Sequence, residues 1–141
     1  MSIEIDKRTA LVNYRIEEAF SALTDAEVAV AAERWNMAAN RLYYAVFYAA
    51  TALLLSEELA FHTHKGMIKQ FGFYFVKAGR VTTEEGALVS NLFQLRHETD
   101  YEAYINATKE QIEDYMPRTR ALIDKLIALN KLATQTNSIN E

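Results

Sequence analysis

The sequence predicts an all-α protein, an up-and-down bundle of about five helices, and three observations carry this prediction. Apolar residues recur at helical spacing along almost the whole chain of 141 residues, as expected for amphipathic helices. The chain has one proline and four glycines, so few positions interrupt a helix. No stretch shows the strict alternation of apolar and polar residues that is typical of a half-buried strand.

The first two helices are the longest predicted elements. The first covers residues 6–32, and its predicted core face consists of Leu11, Tyr14, Ile16, Phe20, Leu23 and Val28. The polar break "ERWN", residues 33–36, turns the chain. The second helix, residues 36–58, is apolar nearly all round, which places it in the centre of the bundle.

Glycine and threonine residues delimit the next two helices. After a loop at 58–66, a third helix is predicted over 65–78, with Gly79 as its C-terminal cap. Thr82 or Thr83 then caps a fourth helix, with Glu85 placed to complete a capping box. A loop near residues 99–106 ends this fourth helix.

The fifth helix is predicted over residues 107–132, with Asn106 or Thr108 as its N-cap. Pro117 lies inside it and is expected to kink it, since proline lacks an N–H and crowds the preceding turn. Residues 1–132 are therefore expected to form one domain, and the polar residues 133–141 a frayed tail.

Composition excludes several classes of function. There is no cysteine, so disulfides, thiol nucleophiles and thiolate metal sites are excluded. The net charge is −4, so any contact with a nucleic acid must depend on a local cationic site. His62 and His64 lack the spacing of known zinc motifs, and we expect no metal and no cofactor.

The sequence also bears on localisation. The longest apolar run, residues 42–55, is shorter than the roughly 20 residues that span a bilayer. The first ten residues lack the apolar core of a signal peptide. These features, together with the lack of cysteine, predict a cytoplasmic protein without membrane contact.

The stretch "LRHETDY", residues 95–101, is the best candidate site. A second arginine, Arg41, shares a helix face with Tyr44 inside the apolar second helix. A guanidinium in such surroundings needs a carboxylate, a phosphate or a route to solvent. Asp100 is the candidate partner of Arg41 or Arg96. Either the arginines and acids form a structural clamp, or one arginine stays free to bind phosphate.

Four stretches of the chain together resemble a HEPN domain: "AERWNMAANRLYYAVFYAATALLL", "HTHKG", "FGFYFVKAGR" and "LRHETDY". They are most similar to a prokaryotic subfamily with the pattern NRxYYAxFxAA…H…F…G…RxxxDY. The resemblance implies a helical bundle that is commonly dimeric and often encoded beside a minimal nucleotidyltransferase, as a toxin–antitoxin pair. It also implies metal-independent cleavage of RNA in many members, by an arginine followed after four to six residues by a histidine.

Arg96 matches the motif arginine, but the matching histidine is missing. Positions 101–103 hold Tyr101, Glu102 and Ala103. His97 adjoins Arg96 and projects about 100° further round the helix, so it does not simply replace the missing group. Asp100 and Tyr101 match the subfamily's "DY" ending. In related pairs the transferase nucleotidylates a tyrosine near this motif, and Tyr101 or Tyr104 occupies such a position.

Three functions remain open from the sequence. The first is a dimeric binding module that engages nucleotide, RNA or a nucleotidyltransferase through a polar centre around Arg96. The second is a metal-independent endoribonuclease toxin, in which His97 or His64 supplies the general base. The third is a non-catalytic structural protein. The candidate catalytic residues are Arg96 and His97, and the candidate binding residues are Arg41, Tyr44, His64, Lys65, Asp100 and Tyr101.

Overall fold

The computed structural model describes residues 3–131, with side chains from residue 7 onwards. This part of the chain is helical and contains no strand. Its elements are α1 (Ile3–Ala31), α2 (Trp35–Ser56), α3 (His64–Phe71) continuing into a π-helical turn (Gly72–Val76), α4 (Thr83–Tyr101) and α5 (Lys109–Leu129). The prediction of an all-α bundle of about five helices is confirmed. The predicted frayed tail, residues 133–141, lies outside the described residues.

The second helix, α2, is central, as its all-round apolar sequence predicts. It packs against α1, α4 and α5, and its buried residues lie on several of its faces. Leu42, Tyr43 and Leu53 are among the largest side chains that are fully buried. Because α2 contacts α3 as well as these three helices, a polar side chain on it lies against one of them or at the seam between two.

The predicted core face of α1 is correct at Leu23, which is buried, and wrong at most of its other residues. Leu11, Tyr14, Phe20 and Val28 are all exposed, whereas alanines at helical spacing form the buried face. These alanines are Ala19, Ala22, Ala26 and Ala29. Small side chains let α1 approach the alanine-rich α2 closely, and the larger apolar residues are left on other faces. The prediction relied on large apolar side chains, but those of α1 do not all lie on one face of the helix.

Hydrogen bonds decide between the alternative helix caps. Thr82 caps α4: its hydroxyl accepts from the N–H of Glu85, whose carboxylate accepts from the N–H of Thr82. Thr108, and not Asn106, caps α5 in the same reciprocal way with Gln111. Capping boxes fix where the two helices begin, because they satisfy N–H groups that have no partner inside the helix.

Gly79 ends the helical segment before α4, as predicted. Its φ of +78° is a left-handed conformation that glycine adopts without steric cost. The N–H of Gly79 donates to the carbonyl of Val76, and the N–H of Arg80 donates to the carbonyl of Phe75. This pair of hydrogen bonds is the Schellman motif. It reverses the chain so that the π-helical turn and α4 form a hairpin.

The fourth helix continues further than predicted, through residue 101 in place of a loop from 99. Arg96, His97, Asp100 and Tyr101 therefore all lie on the last two turns of α4. The fifth helix runs through Pro117 without a break. None of the helices that the structure describes has the length and apolarity needed to cross a bilayer.

Candidate functional site

The guanidinium of Arg96 lies among aromatic rings where α4 packs against α2. Its Cζ atom is 5.0 Å from the ring centre of Tyr43, 5.6 Å from those of Tyr44 and Phe93, and 5.8 Å from that of Tyr101. Only 6% of Arg96 is exposed. The faces of aromatic rings carry partial negative charge, so this cage stabilises a cation. Tyr43 and Phe93 were not among the residues that sequence analysis assigned to the site.

Arg96 forms no ion pair with a carboxylate among residues 3–131, and its buried Nε atom has no hydrogen-bond partner. The predicted pairing of Arg96 with Asp100 is therefore wrong, although the two residues are one turn apart on α4. An unpaired buried N–H costs about 1–3 kcal/mol, and a charged group costs more. The rings and a hydrogen bond between Arg96 and the Tyr43 side chain leave the guanidinium without a counter-charge, so the site is suited to an additional anionic partner.

Asn40 on α2 holds Asp100 and Arg41 in place. Its Nδ2 atom donates to Oδ2 of Asp100 at 3.0 Å, while its Oδ1 accepts from Nε and Nη2 of Arg41 at 3.0 and 2.8 Å. Arg41 also lies 3.9 Å from Asp25 of α1. The predicted direct pair between Arg41 and Asp100 is thus wrong, because the amide of Asn40 lies between them. Sequence reasoning missed Asn40, although a polar residue beside Arg41 in an apolar helix was a usable signal.

His64 reaches the same cluster from α3. Its Nδ1 lies 2.7 Å from the hydroxyl of Tyr43, and its ring stacks on Phe47 with 4.5 Å between ring centres. Burial lowers the pKa of His64, and the positive charge of Arg96 lowers it further. Burial also raises the pKa of Tyr43, an effect that Arg96 only partly offsets. Both side chains are therefore neutral near pH 7, and the charge in contact with the Tyr43 ring is that of Arg96.

The remaining candidate residues lie around this cluster. His97 is exposed, stacks on Phe93 and faces Tyr101 with 5.1 Å between ring centres. Tyr101 is itself 69% exposed. Lys65 follows His64 on α3 and is exposed. Within the described residues, no group of three or more histidine or acidic side chains could hold a metal ion.

Comparison with known sequences gives the same family that the motifs indicate. A sequence model of the HEPN domain matches residues 12–131. The chain belongs to the HEPN domain family. Among its HEPN relatives is a UPF0332 protein of Thermotoga maritima, 31% identical over 122 residues, which are 86% of this chain and 92% of that protein.

Two further HEPN relatives come from the archaeon Methanocaldococcus jannaschii, and both carry the name "Putative toxin". One is 31% identical over 125 residues, covering 83% of this chain and 92% of the relative. The other is 30% identical over 110 residues, covering 78% and 75% respectively.

Proposed function

We propose that this chain is the HEPN component of a toxin–antitoxin-type pair, and that it binds a phosphate group of RNA or a nucleotide at Arg96. One observation carries the proposal: a nearly buried guanidinium has aromatic neighbours but no carboxylate partner. Arginine is suited to phosphate because its planar fork donates two parallel hydrogen bonds. The names of the Methanocaldococcus relatives support the toxin-type setting.

The aromatic rings around Arg96 favour RNA over inorganic phosphate. Tyr101 is largely exposed and Tyr44 is partly exposed, and both rings lie within 6 Å of the guanidinium. An unpaired base stacks on such rings, with a contribution of about 1–3 kcal/mol per base. Arg41, whose side chain is 31% exposed, adds a second cation beside Tyr44. A single-stranded RNA segment can place a phosphate at Arg96 and stack an adjacent unpaired base on Tyr101.

Fluorescence anisotropy with a labelled single-stranded RNA tests this proposal. Arg96→Ala is expected to abolish saturable binding, whereas Arg118→Ala, which removes an exposed arginine paired with Asp114, leaves it unchanged. Circular dichroism confirms that each variant is folded. If folded Arg96→Ala and wild type bind equally, the site is not the binding site. If Arg96→Ala lowers only the melting temperature and no nucleotide or RNA binds to wild type, the polar cluster is structural.

The proposed partners are a second copy of the chain and a minimal nucleotidyltransferase, and the proposed location is the cytoplasm. Light scattering tests whether the chain forms a homodimer. Co-purification with a nucleotidyltransferase encoded by a neighbouring gene tests the second partner. Tyr104 supports nucleotidylation near the motif, because it is 99% exposed in the loop that follows α4. Mass spectrometry after co-expression is expected to find the modification on the peptide that holds Tyr101 and Tyr104. An unmodified peptide contradicts this part of the proposal.

A specific observation also favours endoribonuclease activity as a second candidate. His64 is connected to Arg96 through the Tyr43 ring, and its lowered pKa keeps it neutral near pH 7. In the tautomer whose Nδ1–H donates to Tyr43, Nε2 is free to take a proton from a ribose 2′-hydroxyl. Arg96 would then stabilise the charge that develops on the attacked phosphate.

Gel analysis of RNA incubated with the purified protein and EDTA tests this second candidate. Cleavage by wild type that is lost in His64→Ala and kept in His62→Ala supports it. His62 is a matched control, because it precedes α3 and is exposed. RNA that stays intact with wild type excludes catalysis but leaves the binding proposal in place.

A further inference from the structure

An apolar groove lies on the hairpin formed by the end of α3, the π-helical turn and the start of α4. Its volume is about 830 Å³, and its lining includes Ile68, Phe73, Tyr74, Val76 and Ala87. None of the residues that surround Arg96 lines it. The groove is therefore separate from the candidate phosphate site.

The π-helical turn presents two aromatic side chains at this groove. Phe71 and Phe75 point into the core, while Phe73 is 56% exposed and Tyr74 is 39% exposed. The rings of Phe73 and Tyr74 pack edge to face, with 4.9 Å between their centres. π-helical turns are rare and frequently occur at functional sites. Adjacent exposed aromatic residues beside a groove are typical of a protein-binding surface.

Gly86 shapes the floor of the groove. A Cβ atom at this position would lie 2.6 Å from Cγ2 of Val76, so a larger residue would push the π-helical turn away from α4. The glycine thus keeps two helical segments in close contact, with a shallow apolar channel between them. A channel between two helices fits the apolar face of a third helix.

The rim of the groove is basic, although the whole chain carries a net charge of −4. Lys69 and Lys77 line it, and no aspartate or glutamate does. Neither lysine belongs to an ion pair within the part of the chain that the structure describes. Lys77 lies over the ring of Phe73 at 5.2 Å, which holds its charge at the edge of the apolar surface. A complementary ligand therefore has an apolar face flanked by carboxylates.

We propose that this groove binds an acidic amphipathic helix of a partner protein. Leucine-type side chains of that helix fill the channel beside Phe73, and its flanking glutamates or aspartates pair with Lys69 and Lys77. The proposal is independent of the function assigned to Arg96, since the two surfaces share no lining residue.

The test uses the full-length protein and a fluorescein-labelled designed peptide about five helical turns long, with leucines on one face and glutamates flanking them. Wild type is expected to bind this peptide saturably, and Lys69→Glu/Lys77→Glu to weaken binding roughly five- to thirty-fold. Phe73→Ala is expected to weaken it about fivefold or more, as loss of an aromatic anchor does. Lys7→Glu reverses an exposed lysine outside the groove and serves as the matched control, with a change of about twofold or less.

Several results overturn the proposal. Absence of saturable binding to folded wild type does so, as does equal affinity in wild type and the two groove variants. If wild type self-associates in light scattering and Phe73→Ala is monomeric, the occupant is a second copy of this chain. If deletion of residues 132–141 raises the affinity for the peptide about tenfold or more, the occupant is that segment.

Discussion

The hydroxyl of Tyr43 on α2 lies 2.7 Å from Nδ1 of His64, the first residue of α3. This contact joins two consecutive helices through residues 21 positions apart, and it places a histidine beside the Arg96 cage. Tyr43 is fully buried and also contacts the Arg96 guanidinium through its ring. The contact therefore couples the position and the ionisation of His64 to the candidate site.

Stability is expected to depend on the protonation of His64. Burial, and then the charge of Arg96, lowers the pKa of His64 in the folded protein below its ordinary value of 6.5. As the pH falls below 6.5, His64 therefore takes up a proton in the unfolded chain before it does so in the folded protein. The free energy of unfolding decreases as the pH falls through this range. Urea denaturation should show a smaller loss of stability between pH 7.5 and 5.5 in His64→Gln than in wild type. An identical pH profile in wild type and His64→Gln contradicts the prediction.

Two replacements of Arg96 should distinguish its contribution to stability from its contribution to RNA binding. Arg96→Met keeps much of the side-chain volume and removes a buried donor that has no partner, so we expect a change within about 1 kcal/mol of unfolding free energy. Arg96→Ala leaves a cavity in the aromatic cage and is expected to cost about 2–4 kcal/mol. Both variants should lose RNA binding. A loss well above 2 kcal/mol in Arg96→Met would show that the guanidinium is mainly structural.

Asn40 is expected to organise the polar side of the site. Asn40→Ala removes the hydrogen bonds to Asp100 and Arg41, which should lower the unfolding free energy by about 1–2 kcal/mol. RNA affinity should fall as well, because Arg41 loses the acceptor that orients it. Asn91→Ala, an exposed asparagine on α4, is the control and should stay within about 0.5 kcal/mol of wild type. Unchanged stability and affinity in Asn40→Ala would exclude this role.

Replacement by alanine should change the stability of the protein in opposite directions at two glycines near the π-helical turn. Gly72 has helical φ and ψ angles, and a Cβ there meets nothing within 4 Å, so Gly72→Ala is expected to stabilise by about 0.5–1 kcal/mol. Gly79 has a φ of +78°, so Gly79→Ala is expected to destabilise by about 1–2 kcal/mol. Thermal unfolding measures both shifts. A stabilising Gly79→Ala would be inconsistent with the left-handed turn.

Local sequence signals predicted the start of each helix better than the face that it buries. Thr82 with Glu85 and Thr108 with Gln111 act through hydrogen bonds three residues apart, so such caps are readable from the sequence. The buried face of α1 depends on how closely α2 approaches, and its alanines carry little hydrophobic signal of their own. The same limit applies to the end of α4, which continues to Tyr101 because its last turns pack on α2.

The sequence by itself determined the all-α class, the central place of α2, the glycine turn at Gly79 and the HEPN resemblance that the family comparison confirms. It also singled out Arg96 as the candidate phosphate-binding residue, and that assignment stays a prediction. Only the tertiary structure decided the partners of the charged groups: Asn40 lies between Arg41 and Asp100, and Arg96 lies in an aromatic cage without a carboxylate. The physical reason is that hydrogen bonds and ring contacts between helices depend on distances of a few ångströms, which helical periodicity along one chain segment does not specify.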